Sequence, residues 1–161
     1  MLSKATLKLA LMSVILIGSA NFSASADDKN YAYQLQLLNC GEYQFWKVSL
    51  QRKASGSSNW KEVTNKQTNI TKGYAICFDA SQWSEFKQGD QARLKGFIDL
   101  GDSKKCDSTN YSDNSASPTP RRKMEMAGTT RNNNGCRSKG YAAALNSNQC
   151  GKKGTVSKLS C

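Results

Sequence analysis

Short segments of the chain alternate between apolar and polar residues, which is the pattern of strands with one buried face. The odd-numbered residues of the segment 31–37 are aromatic or apolar. The segment 46–51 repeats the pattern, because Trp46, Val48 and Leu50 alternate with polar residues. We predict that these two strands form a hairpin through the short turn Cys40-Gly41-Glu42, and that the turn-rich stretch 54–59 ends it.

Further strands are predicted along the chain from the same signal. A third strand is indicated around 60–63 and a fourth around 74–78, and the stretch 79–83 is predicted to be a turn or one helical turn. The clearest alternation runs over 92–100, and a later strand is predicted over 123–127.

Strands separated by turns, with little helical periodicity, favour an antiparallel β-sandwich or barrel. The stretch 78–100 contains an Asp-Ala-Ser turn, an aromatic pair and then Gly89-Asp90 before an alternating strand. In this order it resembles the strand-to-strand corner of immunoglobulin-like and fibronectin-like sandwiches. The resemblance implies a sandwich rather than a barrel, and it implies no function.

The first 26 residues have the composition of a cleavable secretion signal. Lys4 and Lys8 precede an apolar run over 9–17, and small residues follow up to Ala26. The run is much shorter than the roughly 20 residues that span a bilayer. We expect cleavage near Ala26 and a mature product, 27–161, in the periplasm or outside the cell.

All six cysteines lie after the predicted leader, at Cys40, Cys77, Cys106, Cys136, Cys150 and Cys161. An even number of cysteines in an oxidising compartment predicts three disulfides, and the sequence leaves their pairing open. A zinc site is the alternative, but the chain has no histidine and no CxxC pair. We therefore predict no metal and no other cofactor.

The mature length of 135 residues suits one domain. We assign 27–112 to the main β-sandwich, disulfide-stabilised, and 113–120, which contains both prolines, to a loop. The remainder, 121–161, is predicted to be a last strand followed by an irregular, basic C-terminal extension of the same domain. Because this segment has few apolar residues, disulfides are expected to hold it. One or two helical turns are predicted over 141–145.

The segment 121–161 carries nearly all of the net charge. The mature part has 21 basic and 12 acidic residues, and this segment contributes nine of the basic residues against one acid, Glu125. Clustered lysine and arginine create a positive surface that attracts polyanions. The candidate ligand-binding residues are Arg121, Arg122, Lys123, Arg131, Arg137, Lys139, Lys152 and Lys153. The alternative is that the charges only keep a secreted protein soluble.

The absence of histidine excludes Ser-His-Asp and Cys-His catalysis and histidine-zinc hydrolases. An enzyme with paired carboxylates remains open. The candidate acids are Glu42, Glu62, Asp79, Glu85, Asp90, Asp99, Asp102 and Asp107. Each lies near a predicted strand end or turn, where acids are common for local reasons. Trp60 and Trp83 are candidates for sugar-stacking platforms or, as is more common in a small sandwich, for the core.

These observations predict a secreted or periplasmic, non-enzymatic binding protein, such as an effector or adhesin. Its expected partner is a protein or an anionic surface ligand, for example a glycan, a lipid headgroup or an acidic protein. Two alternatives stay open. One is a small secreted hydrolase that uses paired carboxylates, and the other is an inhibitor of a secreted enzyme with a protruding, disulfide-held loop.

Overall fold

The computed structural model describes residues 31–113, 119–129 and 134–161, and it shows eleven strands in these parts of the chain. The strands are β1 (Tyr31–Ala32), β2 (Gln34–Asn39), β3 (Phe45–Lys53), β4 (Lys61–Ile70), β5 (Tyr74–Asp79), β6 (Gln91–Ile98), β7 (Ser103–Lys105), β8 (Thr109–Tyr111), β9 (Arg121–Ala127), β10 (Gly135–Ala142) and β11 (Thr155–Lys158). A 3-10 turn over Ala80–Gln82 confirms the single helical turn expected after β5. The predicted leader and its cleavage site lie outside the described residues.

The strands form two sheets that enclose one core. Sheet I has the order β1-β8-β6-β3-β4, with β7 also paired to β6, and sheet II has the order β10-β9-β2-β5-β11. Phe45 and Leu94 of sheet I pack in the same buried cluster as Leu35, Phe78 and Met126 of sheet II. The mainly β, sandwich-like architecture is therefore confirmed. Its narrower likeness to immunoglobulin-like or fibronectin-like domains stays a prediction.

The predicted hairpin of β2 and β3 is wrong, because the two strands lie in different sheets. β2 has β5 on one side and β9 on the other, which leaves it no edge for β3. The buried Asn39 side chain fixes the corner between them: its Nδ2 donates to the carbonyls of Tyr43 at 2.7 Å and Ile70 at 2.8 Å, and its Oδ1 accepts from Gly41 N at 3.0 Å. Cys40 to Gln44 therefore carry the chain from sheet II to sheet I.

The sheets are mixed rather than purely antiparallel. β2 pairs with β9 in parallel over six residue pairs, and β1 pairs with β8 in parallel. Parallel neighbours need a long crossover connection. For β2 and β9 that connection contains every strand of sheet I except β1, so the alternation could not reveal the pairing.

Two apolar residues predicted on inward faces lie outside the core. The pairing of β3 with both neighbours shifts between Phe45 and Lys47, so Phe45 and Val48 point inward and Trp46 does not. Trp46 is 44% exposed. The predicted strand 92–100 ends at Ile98, and Leu100 is 95% exposed with a φ of 55°.

The segment 121–161 is not an irregular extension in its described part. It supplies β9, β10 and β11, which are three of the five strands of sheet II. The predicted helical turns over 141–145 are absent, because Tyr141 and Ala142 end β10 and pair with β9. Pairing with β2 and β5 gives these strands the buried partners that their own sequence lacks.

Three disulfides join each of the last three cysteines to one of the first three: Cys40–Cys161, Cys77–Cys150 and Cys106–Cys136. The prediction of three disulfides is confirmed. Bonds of this kind in a small β domain fit an extracellular or periplasmic protein. In the described part of the chain, no helix is long and apolar enough to span a membrane.

Candidate anion-binding surfaces

The basic residues predicted as one site lie in several separate parts of the structure. Along β9, Arg121 and Lys123 alternate with the core-facing Arg122 and Met124, so they lie on the outer face of sheet II. Of the neighbouring β10 residues, Arg137 pairs in register with Glu125, and Lys139 Nζ lies 3.2 Å from Glu125 Oε2. Sheet II thus brings together Arg121, Lys123, Arg137 and Lys139. Arg131 lies outside the described residues.

Arg122 belongs to the interior and not to a binding surface. The residue is 8% exposed, and its guanidinium donates to the carbonyl of Ser108 and lies 5.8 Å from the centre of the Tyr141 ring. These contacts connect β9 to the segment before β8. Arg122 therefore has a structural role.

Lys152 and Lys153 are exposed in the turn before β11, which is the edge strand of sheet II opposite β10. Lys152 Nζ lies 4.4 Å from the centre of the Trp83 ring, and Trp83 Nε1 donates to Lys152 O at 3.1 Å. Trp83 is partly buried against the core, as is usual for tryptophan in such domains. These two lysines are separated from Lys123 and Lys139 by strands β2 and β5.

A second basic surface covers the outer face of sheet I, and sequence reasoning missed it. Five cations from three strands lie on it with three aromatic rings between them. We call this set the cationic face: Lys47 and Lys53 of β3, Arg93 and Lys95 of β6, Lys105 of β7, and the rings of Trp46, Trp60 and Phe97.

The aromatic rings hold the cations at defined positions. Phe97 has Lys47 Nζ at 4.7 Å and Lys95 Nζ at 4.5 Å from its centre, and the Arg93 guanidinium lies 3.8 Å from the centre of Trp60. Each such contact contributes about 0.5–1 kcal/mol when exposed to solvent. Burial lowers the pKa of Arg93, but a guanidinium stays charged at any physiological pH.

The cationic face has little negative charge to balance it. Strands β3, β4, β6 and β7 contain one acidic residue, Glu62, which Lys47 and Asn65 contact at 3.2 and 2.7 Å. Lys95 and Lys105 are direct cross-strand partners. Like charges in that position repel each other and destabilise a sheet. Neither lysine has an acidic partner among the described residues, so this pair is suited to an external anion.

The candidate acids mostly have local structural contacts. Asp79 caps the 3-10 turn by accepting from Ser81 N at 3.0 Å, and Glu62 pairs with Lys47. Asp90 accepts from Arg52 and from two main-chain N–H groups. Among the described residues, no group of three histidine, cysteine, aspartate or glutamate side chains could share a metal ion.

One cavity contains two of the candidate carboxylates. It has a volume of about 460 Å³, opens among the loops at one end of the sandwich, and includes Glu42, Tyr43 and Asp99 in its lining. The Glu42 side chain is 76% exposed and lies 3.6 Å from Lys72 Nζ, and Asp99 accepts from Gln44 Nε2 at 2.9 Å. A general acid needs an enclosed, apolar setting, which the exposed Glu42 lacks. Burial raises the pKa of Tyr43 to about 12, so its hydroxyl stays protonated and provides no base.

Comparisons with known proteins give no functional assignment. No family model matches the chain, and no curated protein matches it. Among solved structures, the human-specific toxin intermedilysin is similar with a TM-score of 0.34 and 14% identity, over 66% of this chain. The chain spans 23% of that structure.

Proposed function

We propose that the protein is a non-enzymatic binding protein that acts outside the cytoplasm and binds a linear acidic glycan on the cationic face. The main observation behind this proposal is that Lys95 and Lys105 lie opposite each other without an acidic partner. Around them are further cations that contact aromatic rings. A sulfated or carboxylated chain would bring anions to these positions and relieve the repulsion. The proposed leader, cleaved near Ala26, would deliver the chain to the compartment where such glycans occur.

The aromatic rings favour a glycan over other polyanions. Trp46, Trp60 and Phe97 supply apolar surface beside the cations, and sugar rings present apolar C–H faces together with charged groups. Nucleic acid also stacks on aromatic rings, but an exported protein is separated from its own genome. Binding to a lipid surface requires several apolar residues that project beyond the cations. Among the described residues of the cationic face, only Trp46 is both large and strongly exposed.

Replacing Lys53, Lys95 and Lys105 by glutamine should weaken binding to immobilised heparin about tenfold, given about 0.5 kcal/mol for each surface ion pair lost. The variant should elute from heparin at lower salt than the wild type, because fewer charges are left to be screened. Its melting temperature should stay close to that of the wild type, because relief of the Lys95–Lys105 repulsion offsets the loss of the cation–π contacts of Lys53 and Lys95.

The matched control is Lys152, Lys153 and Lys158 changed to glutamine, which removes the same charge from exposed positions in β11 of the other sheet and in the turn before it. It should elute close to the wild type. If this control lost more heparin binding than the sheet I variant, the binding site would lie among the basic residues of 121–161 instead. Tighter retention on single-stranded DNA or anionic vesicles than on heparin at equal salt would overturn the glycan assignment.

A further inference from the structure

The outer face of sheet II contains a pocket that is independent of the cationic face. Leu159, Ser160 and Cys161 follow β11 and cross the end of this face as a strap. The strap is fixed at both ends, because Leu159 N donates to Gly73 O at 2.8 Å and Cys161 is bonded to Cys40 beside β2. We call the cavity between the strap and the sheet the strap pocket.

A second crossing segment covers the neighbouring part of the same face. After β10, residues 143–150 pass over β2 and reach β5 through the Cys77–Cys150 disulfide. The Gln34 side chain holds this segment by donating from Nε2 to Leu145 O at 2.9 Å and accepting at Oε1 from Leu145 N at 2.8 Å. The strap pocket therefore lies on the part of the face that this segment leaves open.

The floor of the strap pocket consists of paired residues from β2 and β9. Gln36 is opposite Lys123 and Leu38 is opposite Glu125. Lys139 of β10 also lines the cavity, and its Nζ forms an ion pair with Glu125 Oε2 at 3.2 Å. The Lys123 side chain is half-buried, and its ammonium group forms no ion pair with any described acidic residue. Its ammonium group is the charge in this pocket that a ligand can pair with.

The pocket also has an apolar side. Leu159 is 41% exposed in the strap, and Leu38 is half-buried on the floor beside it. An ammonium group next to two leucines suits a ligand that has one anionic end and one apolar end. The cavity volume is about 260 Å³, which is below the range of about 300–1,000 Å³ for drug-sized ligands. The ligand must therefore be small.

We propose that the strap pocket binds a small carboxylate with a short apolar chain. The carboxylate pairs with Lys123, and the apolar chain covers Leu38 and Leu159. Arg121, which donates to Gln36 at 3.1 Å, adds positive charge beside the pocket. This site lies on the opposite sheet from the cationic face, so it does not depend on glycan binding.

The test is an NMR titration of the oxidised protein with hexanoate, acetate and hexanol as probes. Hexanoate should shift the amide signals of Lys123 and Leu159, and both acetate and hexanol should bind at least about tenfold more weakly, because each lacks one of the two contacts. Equal binding of acetate and hexanoate would overturn the proposal, since the apolar wall would then contribute nothing.

Two lysine variants separate a specific pair from general charge. Lys123→Met should weaken hexanoate binding about tenfold, and Lys123→Arg should keep it within about threefold of the wild type, because only the first removes the cation. Lys153→Met removes an exposed cation elsewhere and should leave binding unchanged. An equal loss in Lys123→Met and Lys153→Met would overturn the site. An unchanged melting temperature of Lys123→Met would show that the variant is folded, and unchanged heparin elution would show that the two surfaces are separate.

Discussion

Replacing Asp90 with alanine is expected to lower the free energy of unfolding by about 3 kcal/mol, because it removes the centre of a buried charged network. The Asp90 side chain is 2% exposed. Its carboxylate accepts from Arg52 Nε, from Lys87 N at 2.8 Å and from Ser55 N at 3.0 Å. Without it, a partly buried guanidinium and two main-chain N–H groups lose their acceptor, which urea denaturation would detect as a lower midpoint.

Asp102→Ala is the matched control for this prediction. Asp102 is exposed in the loop between β6 and β7, so its removal should change stability by no more than about 0.5 kcal/mol. A similar loss in the two variants would mean that the contacts of Asp90 contribute no special stability.

The same carboxylate predicts a dependence of stability on pH. Burial alone would raise the pKa of Asp90 above its ordinary 3.8, but hydrogen bonds from Arg52, Lys87 and Ser55, together with the Arg52 charge, lower it overall. As the pH falls below 3.8, Asp90 is therefore protonated first in the unfolded chain. Its contribution to the free energy of unfolding then declines until Asp90 is protonated in the native state as well. The difference in unfolding free energy between wild type and Asp90→Asn should be full near pH 6 and smaller near pH 2.

Strand β6 shows how much of the fold the alternation contains. Ala92, Leu94, Gly96 and Ile98 are all buried, as their period of two predicts. Gly96 leaves room for the Phe45 ring, which would have to shift slightly to accommodate a Cβ 3.1 Å away. A strand with one buried face can be predicted from its local sequence, because apolar residues occupy its buried positions and polar residues its exposed ones.

Pairing between strands could not be predicted in the same way. The choice of β9 and β5 as partners of β2 depends on contacts between residues far apart in the chain, and no local pattern encodes them. The proposed binding surfaces also depend on contacts between residues far apart in the chain. Arg93 and Lys95 alternate visibly along β6, but Lys47 and Lys105 join them only through the register of β3 and β7. The local density of charge instead indicated 121–161 as a single basic site. Within it, Arg122 is buried, and strands β2 and β5 separate the basic residues of β9 and β10 from Lys152 and Lys153.

Removing the Cys77–Cys150 disulfide by changing both residues to alanine is expected to cost about 4 kcal/mol, because the bond restricts a long loop in the unfolded chain. The two cysteines are 73 residues apart. Hydrogen exchange should accelerate first in β11 and in 143–154, since β11 is a four-residue edge strand paired only with β5. β9 should remain protected, because β2 and β10 flank it on both sides.

The Cys106–Cys136 pair provides the comparison, since the same double substitution there releases β10 at the opposite edge of sheet II. Its cysteines are 30 residues apart, so the loss of stability should be smaller by about 1 kcal/mol. Exchange in that variant should accelerate first around 134–142 and leave β11 protected. If β9 exchanged as early as the edge strands in either variant, 121–161 would be held by its disulfides alone, as its low apolar content first indicated. Late exchange of β9 in both would mean that its hydrogen bonds to β2 integrate this segment into the sheet independently of the sulfur cross-links.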